Sequence, residues 1–230
     1  MKRFWTAAEL AEVEGGFGIM LDDRPLKTPA RATLIVPTRA LGEAITTEWR
    51  DCGEKIDPRA MPMTGLANAA IDRVASNPEK FAAELARYAE ADLFCYRAEG
   101  PETLVERQRA SWDLKLAWAR RRFDVDFAIG SGILHIPQPE ATVKQLAAGL
   151  SALGAFRLAA LSPLVTIGGS LVAALALAEQ AFSADLLWDA ISLDERWQLE
   201  KWGSDAEAEA ALALRRAEFL AAARYLELLD

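Results

Sequence analysis

Between Arg157 and Glu179 the chain runs for twenty-one residues, Leu158 to Ala178, without a charged side chain. A stretch of that length either crosses a bilayer or is buried whole in a protein core. Its composition decides between the two. Ser162-Pro163, Thr166, Gly168-Gly169 and Ser170 interrupt it and alanine fills much of the rest, so its hydrophobicity is modest for a membrane span. The expectation is two buried helices that break near Gly168, with no stable membrane insertion. A core large enough to hold both needs a long, apolar chain. At 230 residues, with 52% apolar and 26% charged side chains, this one qualifies. The first ten residues carry charge at both ends and no long apolar run, so no signal or transit peptide is read there. That pattern points to a cytoplasmic, bacterial protein or to a mature form.

The first third of the chain differs from the remainder. Leu10–Val13, Phe17–Leu21 and Thr33–Val36 are short apolar runs separated by Gly15-Gly16, Asp22-Asp23 and the prolines at 25 and 29, the signals of strands and hairpins. Thr38 then caps a helix with Leu41, Ile45 and Trp49 on one face, closed by Gly53. A second helix is expected from Thr64, burying Leu66, Ala70, Ile71 and Val74. At Asn77-Pro78-Glu79 a cap, a first-turn proline and an acid follow one another, and the domain boundary is placed there. Beyond it the periodicity is helical to the C-terminus, through Leu104, Gln108, Trp112 and Leu116 and on to Leu212, Phe219, Ala223 and Leu226. The fold class is therefore α+β. A small strand-rich N-terminal α+β domain (1–77) precedes a C-terminal all-helical bundle (78–230).

Much chemistry is excluded by what the chain lacks. Acids exceed bases by 34 to 26, a net charge of −8, which speaks against nucleic acid as a partner. Two cysteines and one histidine are too few for a Cys/His zinc site or a disulfide scaffold. Gly15-Gly16-Phe17-Gly18 lacks the Lys-Ser/Thr of a phosphate loop and suits a hairpin turn. His135, among Ile133, Leu134, Ile136 and Pro137, is expected to be packed in a strand or loop. Cys95 is expected to be a small buried hydrophobe. Arg120-Arg121-Arg122 is expected to form a rim paired with acids. No cofactor, metal or catalytic constellation is called for.

Negative charge is concentrated late. From Glu179 to Asp230 there are twelve acids and five bases, against twenty-two and twenty-one before. Such a segment is an ordinary solvated helical face or a surface that steers a basic partner. Within it, Ser192-Leu193-Asp194-Glu195 and Ser204-Asp205-Ala206-Glu207 fit the capping-box pattern. Asp194 and Glu195 lie beside Trp197, Gln198 and Trp202, the composition of a protein-binding hot spot. Adjacent acids point about 100° apart on a helix and suit paired catalysis poorly. A small-molecule enzyme using Asp92, Asp194 or Glu195 is the alternative.

An ordered series of segments extends this reading. Asp23-Arg24-Pro25-Leu26-Lys27-Thr28-Pro29 is followed by Glu48-Trp49, Met61-Pro62-Met63-Thr64, Leu66-Ala67-Asn68 and Ala70-Ile71-Asp72. Asp92-Leu93-Phe94-Cys95-Tyr96-Arg97-Ala98, Gln108, Trp112-Asp113, Gly169-Ser170, Leu193 to Gln198 and Trp202-Gly203 come next. The series resembles the assembly chaperones of the ATP synthase α subunit, found in mitochondria and α-proteobacteria. It departs from them at Leu114, where the family often has proline. The resemblance implies an α+β domain followed by a helical one, no catalysis and no cofactor. It implies the ATP synthase α subunit as partner, shielded by the chaperone until β replaces it; a monomer is expected. Asp194, Glu195, Trp197, Gln198 and Trp202 are the expected partner-binding residues.

Overall fold

A computed structural model describes residues 2–203 and 205–230, grouped into two compact units. The first comprises the chain as far as Pro78 together with Gly154–Ala160 and Ala221–Asp230. The second comprises Glu79–Leu153 and Leu161–Leu220. Two segments that the sequence reading placed in the helical domain thus group with the strands. They contribute apolar surface there, since Leu158, Ala222, Tyr225 and Leu226 are all buried.

In the first unit, β1 (Ala8–Val13) and β2 (Gly16–Leu21) form an antiparallel hairpin with Val13 opposite Gly16. Its turn, Glu14-Gly15, places Gly15 at φ +89°, a conformation that a side chain resists. Gly16 is required for a second reason. A Cβ there would stand 2.3 Å from the Val36 carbonyl oxygen. The short strands β3 (Arg24–Pro25) and β4 (Ile35–Val36) both pair with β2, completing the sheet. Over it lies α1 (Arg39–Asp51), whose apolar stripe Leu41, Ile45 and Trp49 is buried at the expected spacing. Thr38 caps it through its side chain, which accepts from the Leu41 N–H at 3.3 Å.

The second helix, α2 (Pro62–Ala69), starts two residues before Thr64 and continues as a π-helical turn over Ala70–Val74. Its buried residues are Met63, Thr64, Ala67, Ala70 and Val74, whereas Leu66 and Ile71 are only half-buried. The π turn and the earlier start rotate the buried stripe away from the simple helical spacing. Glu48 explains the start: its carboxylate accepts from the Met63 and Thr64 N–H groups at 2.7 and 2.8 Å and from the Thr64 hydroxyl at 2.7 Å. Burial raises the Glu48 pKa while those bonds oppose the rise. Trp49 donates to the Thr64 hydroxyl oxygen at 3.1 Å, and Trp5 donates to the Trp49 carbonyl at 3.1 Å.

The second unit is helical apart from one short parallel pair. Its elements are α3 (Pro78–Ala86), β5 (Tyr96–Arg97), α4 (Glu102–Phe123), β6 (Gly130–Ser131) and α5 (Glu140–Ser151). Then come α6 (Ala155–Gly168), which begins in the first unit, α7 (Leu171–Ala178), α8 (Ala184–Ile191), α9 (Leu193–Trp202) and α10 (Ala206–Glu227), which ends there. The uncharged stretch is two helices, as its interruptions require. They break at Gly168-Gly169, with Gly169 at φ +61°, and every residue from Leu171 to Leu177 is buried. Among the described residues no helix is long and apolar enough to cross a membrane.

Asp92 organises that break. Its fully buried carboxylate accepts from the Phe94 N–H at 3.0 Å, the Val172 N–H at 2.9 Å and the Ser170 hydroxyl at 2.8 Å. Ser170 in turn caps α7 by accepting from the Ala173 N–H at 3.0 Å. Arg97 is also buried. It donates to the Phe94 carbonyl at 2.7 Å and to Asp113 at 2.5 Å, and stands 5.0 Å from the Trp112 ring centre. Trp112 donates to the Ala190 carbonyl at 2.8 Å.

Candidate functional site

The two C-terminal helices are built so that one stripe of each faces the other. On α9 the stripe is Glu195, Gln198, Leu199 and Trp202; on α10 it is Ala208, Ala211, Leu212 and Arg215. Both follow the i, i+3, i+4, i+7 spacing of a single helical face. Alanine at 208 and 211 leaves a recess where larger side chains would close the gap, and with Gly203 these residues line a groove of about 320 Å³. Leu199 and Leu212 supply apolar lining. Trp202 is 76% exposed at its edge and meets the Trp197 ring edge-on, with centroids 6.1 Å apart. Glu195 and Arg215 pair across the recess at 2.5 Å, both partly exposed.

Three of the five residues singled out in the sequence therefore line one groove: Glu195, Gln198 and Trp202. The other two lie elsewhere. Trp197 is 8% exposed, and its indole N–H has no hydrogen-bond partner among the described residues; the tryptophan on the surface is Trp202. Asp194 turns away and accepts from the Gln108 amide at 2.7 Å, while the Gln108 oxygen accepts from the Ala98 N–H at 2.8 Å. Burial raises the Asp194 pKa, and the Gln108 bond opposes it.

The capping box expected at Ser192 does not form. Ser192 has φ −95° and ψ 8°, short of the extended conformation of a cap, because α8 runs almost directly into α9. Its hydroxyl instead donates to the Trp188 carbonyl at 2.7 Å. Glu195 is released from the box and reaches Arg215. For the second box, Ser204 lies outside the described residues; Asp205 accepts from the Glu207 N–H at 3.1 Å.

Most of the late acids have arginine partners. Asp185 pairs with Arg216 at 2.7 Å and Glu200 with Arg107 at 2.6 Å, while Asp189 pairs with Arg196 and Glu179 with Arg122. Arg120, the other paired member of the arginine triplet, meets Asp126 at 3.1 Å. Asp205, Glu207 and Glu209, at the start of α10 beside the groove, are exposed and make no ion pair among the described residues.

The groups an enzyme would use are occupied or scattered. Asp92 is sealed from solvent, and burial pushes its pKa up to about 6. Burial, reinforced by Asp92, pushes the Cys95 thiol up to about 12, which keeps it protonated and inert. His135 is exposed, contrary to the expectation that it is packed. It sits beyond the two-residue strand β6 with Ile133 and Leu134, themselves 99% and 79% exposed, on a loop with no sheet to bury it. Its Nδ1 lies 3.4 Å from the Tyr96 hydroxyl. Among the described residues no three His, Cys, Asp or Glu side chains converge as metal ligands.

Sequence reasoning missed the α10 wall of the groove. The spacing of Ala208, Ala211, Leu212 and Arg215 was present as a signal, but nothing local marks which face of α10 meets α9.

Fold and groove together define a class: a helix-rich α+β protein whose open recess is apolar at its floor and charged at its rim. The residues 2–120 match the family model described as ATP12 chaperone protein. The crystal structure of Atp12 from Paracoccus denitrificans superposes with a TM-score of 0.94 at 39% identity, covering 100% of this chain and 98% of that one. A crystal structure from Agrobacterium tumefaciens gives the same TM-score, 0.94, at 38% identity, over 100% of this chain and 86% of the other. The mitochondrial protein atp12 of Schizosaccharomyces pombe is 25% identical over 223 residues, 90% of this chain and 75% of its own length. The chain belongs to the ATP12 chaperone family. This is the assembly-chaperone family that its ordered motifs resemble.

Proposed function

We propose that this protein is an assembly chaperone which binds the unassembled α subunit of the F-type ATP synthase and shields its β-facing surface until β takes its place. An isolated subunit of a multi-subunit head exposes apolar interface, and such surface aggregates unless covered. A cover that must later yield needs a modest contact with few strong anchors. The observation that carries the reading is the α9–α10 groove, where a tryptophan left 76% exposed and a glutamate line one recess, in a member of a chaperone family. In this reading the protein makes and breaks no covalent bond, needs no cofactor, works as a monomer and acts in the compartment where α is assembled. Asp194 ties α9 to Gln108, and Trp197 packs edge-on against Trp202.

Light scattering of freshly diluted α subunit, with and without the protein and with β as control client, tests this. Suppression is expected for α and not for β. A Glu195→Lys variant that retains its circular dichroism spectrum is expected to lose most of it. Absence of both suppression and α binding overturns the proposal.

A further inference from the structure

We infer that Arg215 occupies, in the free protein, the place of a basic side chain on the client, and that the groove takes an amphipathic client segment bearing one large apolar residue beside that arginine or lysine. The inference rests on the chaperone reading above and names the kind of segment that site accepts. Four observations lead to it. The groove is small, about 320 Å³, near the bottom of the roughly 300–1,000 Å³ range of ligand sites, so it admits a few side chains and not a folded face. Its lining is largely apolar, with Leu199, Leu212, Ala208 and Ala211 sharing it with the exposed Trp202 ring. An aliphatic or aromatic side chain laid there buries an indole that otherwise remains in water.

The charges select the companion residue. Glu195 is the acid lining the groove and is met by a guanidinium, Arg215 Nη2 to Glu195 Oε2 at 2.5 Å. Both side chains are more than 40% exposed, so this pair is readily exchanged and weakly held. At the start of α10, about two turns before Arg215, stand Asp205, Glu207 and Glu209, exposed and without ion pairs among the described residues. An incoming cation meets negative potential from those acids and, at the rim, a carboxylate whose present partner can swing into solvent. An incoming carboxylate meets three uncompensated acids. The groove is therefore complementary to a basic segment, the mode in which an amphipathic helix lays its apolar anchors into a groove.

The test compares the full-length chain with Arg215→Gln, Trp202→Ala and Arg215→Gln/Glu195→Gln variants, each checked by circular dichroism and thermal melting. Affinity for the α subunit and for the β subunit is measured in parallel by biolayer interferometry. Freeing Glu195 is expected to tighten α binding about two- to fivefold, the worth of an exposed ion pair. The second substitution in the double variant abolishes that gain. Trp202→Ala is expected to weaken binding by at least about tenfold, as for a hot-spot tryptophan. Weaker binding by Arg215→Gln overturns the inference in favour of an acidic occupant. Binding of α that neither Arg215→Gln nor Trp202→Ala alters overturns the groove and leaves the α-subunit reading standing. Binding of β alone, with the expected dependence on both residues, supports the groove and overturns the α assignment. Binding of neither subunit overturns both.

Discussion

Asp92 is a carboxylate with no access to water that nevertheless carries much of the order around the α6–α7 break. Its acceptors tie the Phe94 turn, the Ser170 cap and the Val172 N–H at the positive end of α7 into one cluster. Asp92→Ala leaves two buried N–H groups without partners, so it is expected to cost on the order of 3 kcal/mol near pH 5. The pH dependence follows from the raised pKa, about 6 in the fold against 3.8 for the free side chain. Between those values the folded protein holds the proton and the unfolded chain does not. The contribution from this group is therefore complete below pH 3.8 and declines as pH rises through about 6. Urea unfolding of wild type and Asp92→Ala at pH 5 and pH 8 is expected to show the gap narrowing by about 1 kcal/mol at the higher pH. A gap that widens would mean that the ionised carboxylate is the better partner.

At the scale of elements, the hairpin and the break in the uncharged stretch were legible because each is specified by residues adjacent in the chain. Gly15 and Gly16 illustrate how local the first of these is. A Cβ at Gly15 meets nothing within 4 Å, so Gly15→Ala adds only left-handed strain, about 1 kcal/mol. At Gly16 the same methyl meets the backbone of β4, which has no side chain to rotate away. Gly16→Ala is expected to cost roughly 2–4 kcal/mol, and chemical denaturation of the two variants side by side checks the order. What the sequence left unread depends on distant partners. Glu195 matched a capping box over three residues, yet its partner is Arg215, twenty residues further on. Trp197 and Trp202 share a helix, and only the packing of α9 decides which one is buried. Glu48 stood in the family motifs with no role attached, Asp92 was read only as a candidate catalytic acid, and Gln108 only as part of a helical stripe. Each is a buried or half-buried acceptor for backbone N–H groups, and such a role has no signature along the chain.

Across the whole molecule, the excess of negative charge proves narrower than its count implies. The net charge is −8, concentrated after Glu179, but arginines from α4, α9 and α10 pair with acids on α8 and α9 and at the end of α7. Exposed pairs of this kind present little field beyond their own dimensions at physiological salt. Among the described residues beside the groove, Asp205, Glu207 and Glu209 make no ion pair and are offset only by the exposed Lys201, a net charge of −2 free to act at a distance. If the client segment is basic, these three set how fast it arrives, while Trp202 and Glu195 set how long it stays. A variant with Asp205→Asn, Glu207→Gln and Glu209→Gln is therefore expected to bind α with an association rate about tenfold lower at low ionic strength. Its dissociation rate should be unchanged. The wild-type association rate should fall toward that of the variant as salt is raised from 20 to 500 mM, a range over which the Debye length falls from about 20 Å to about 4 Å. Stopped-flow measurement of both rates across that range separates the roles. A triple variant that dissociates faster at every salt concentration would place these acids in the contact itself rather than on the approach to it.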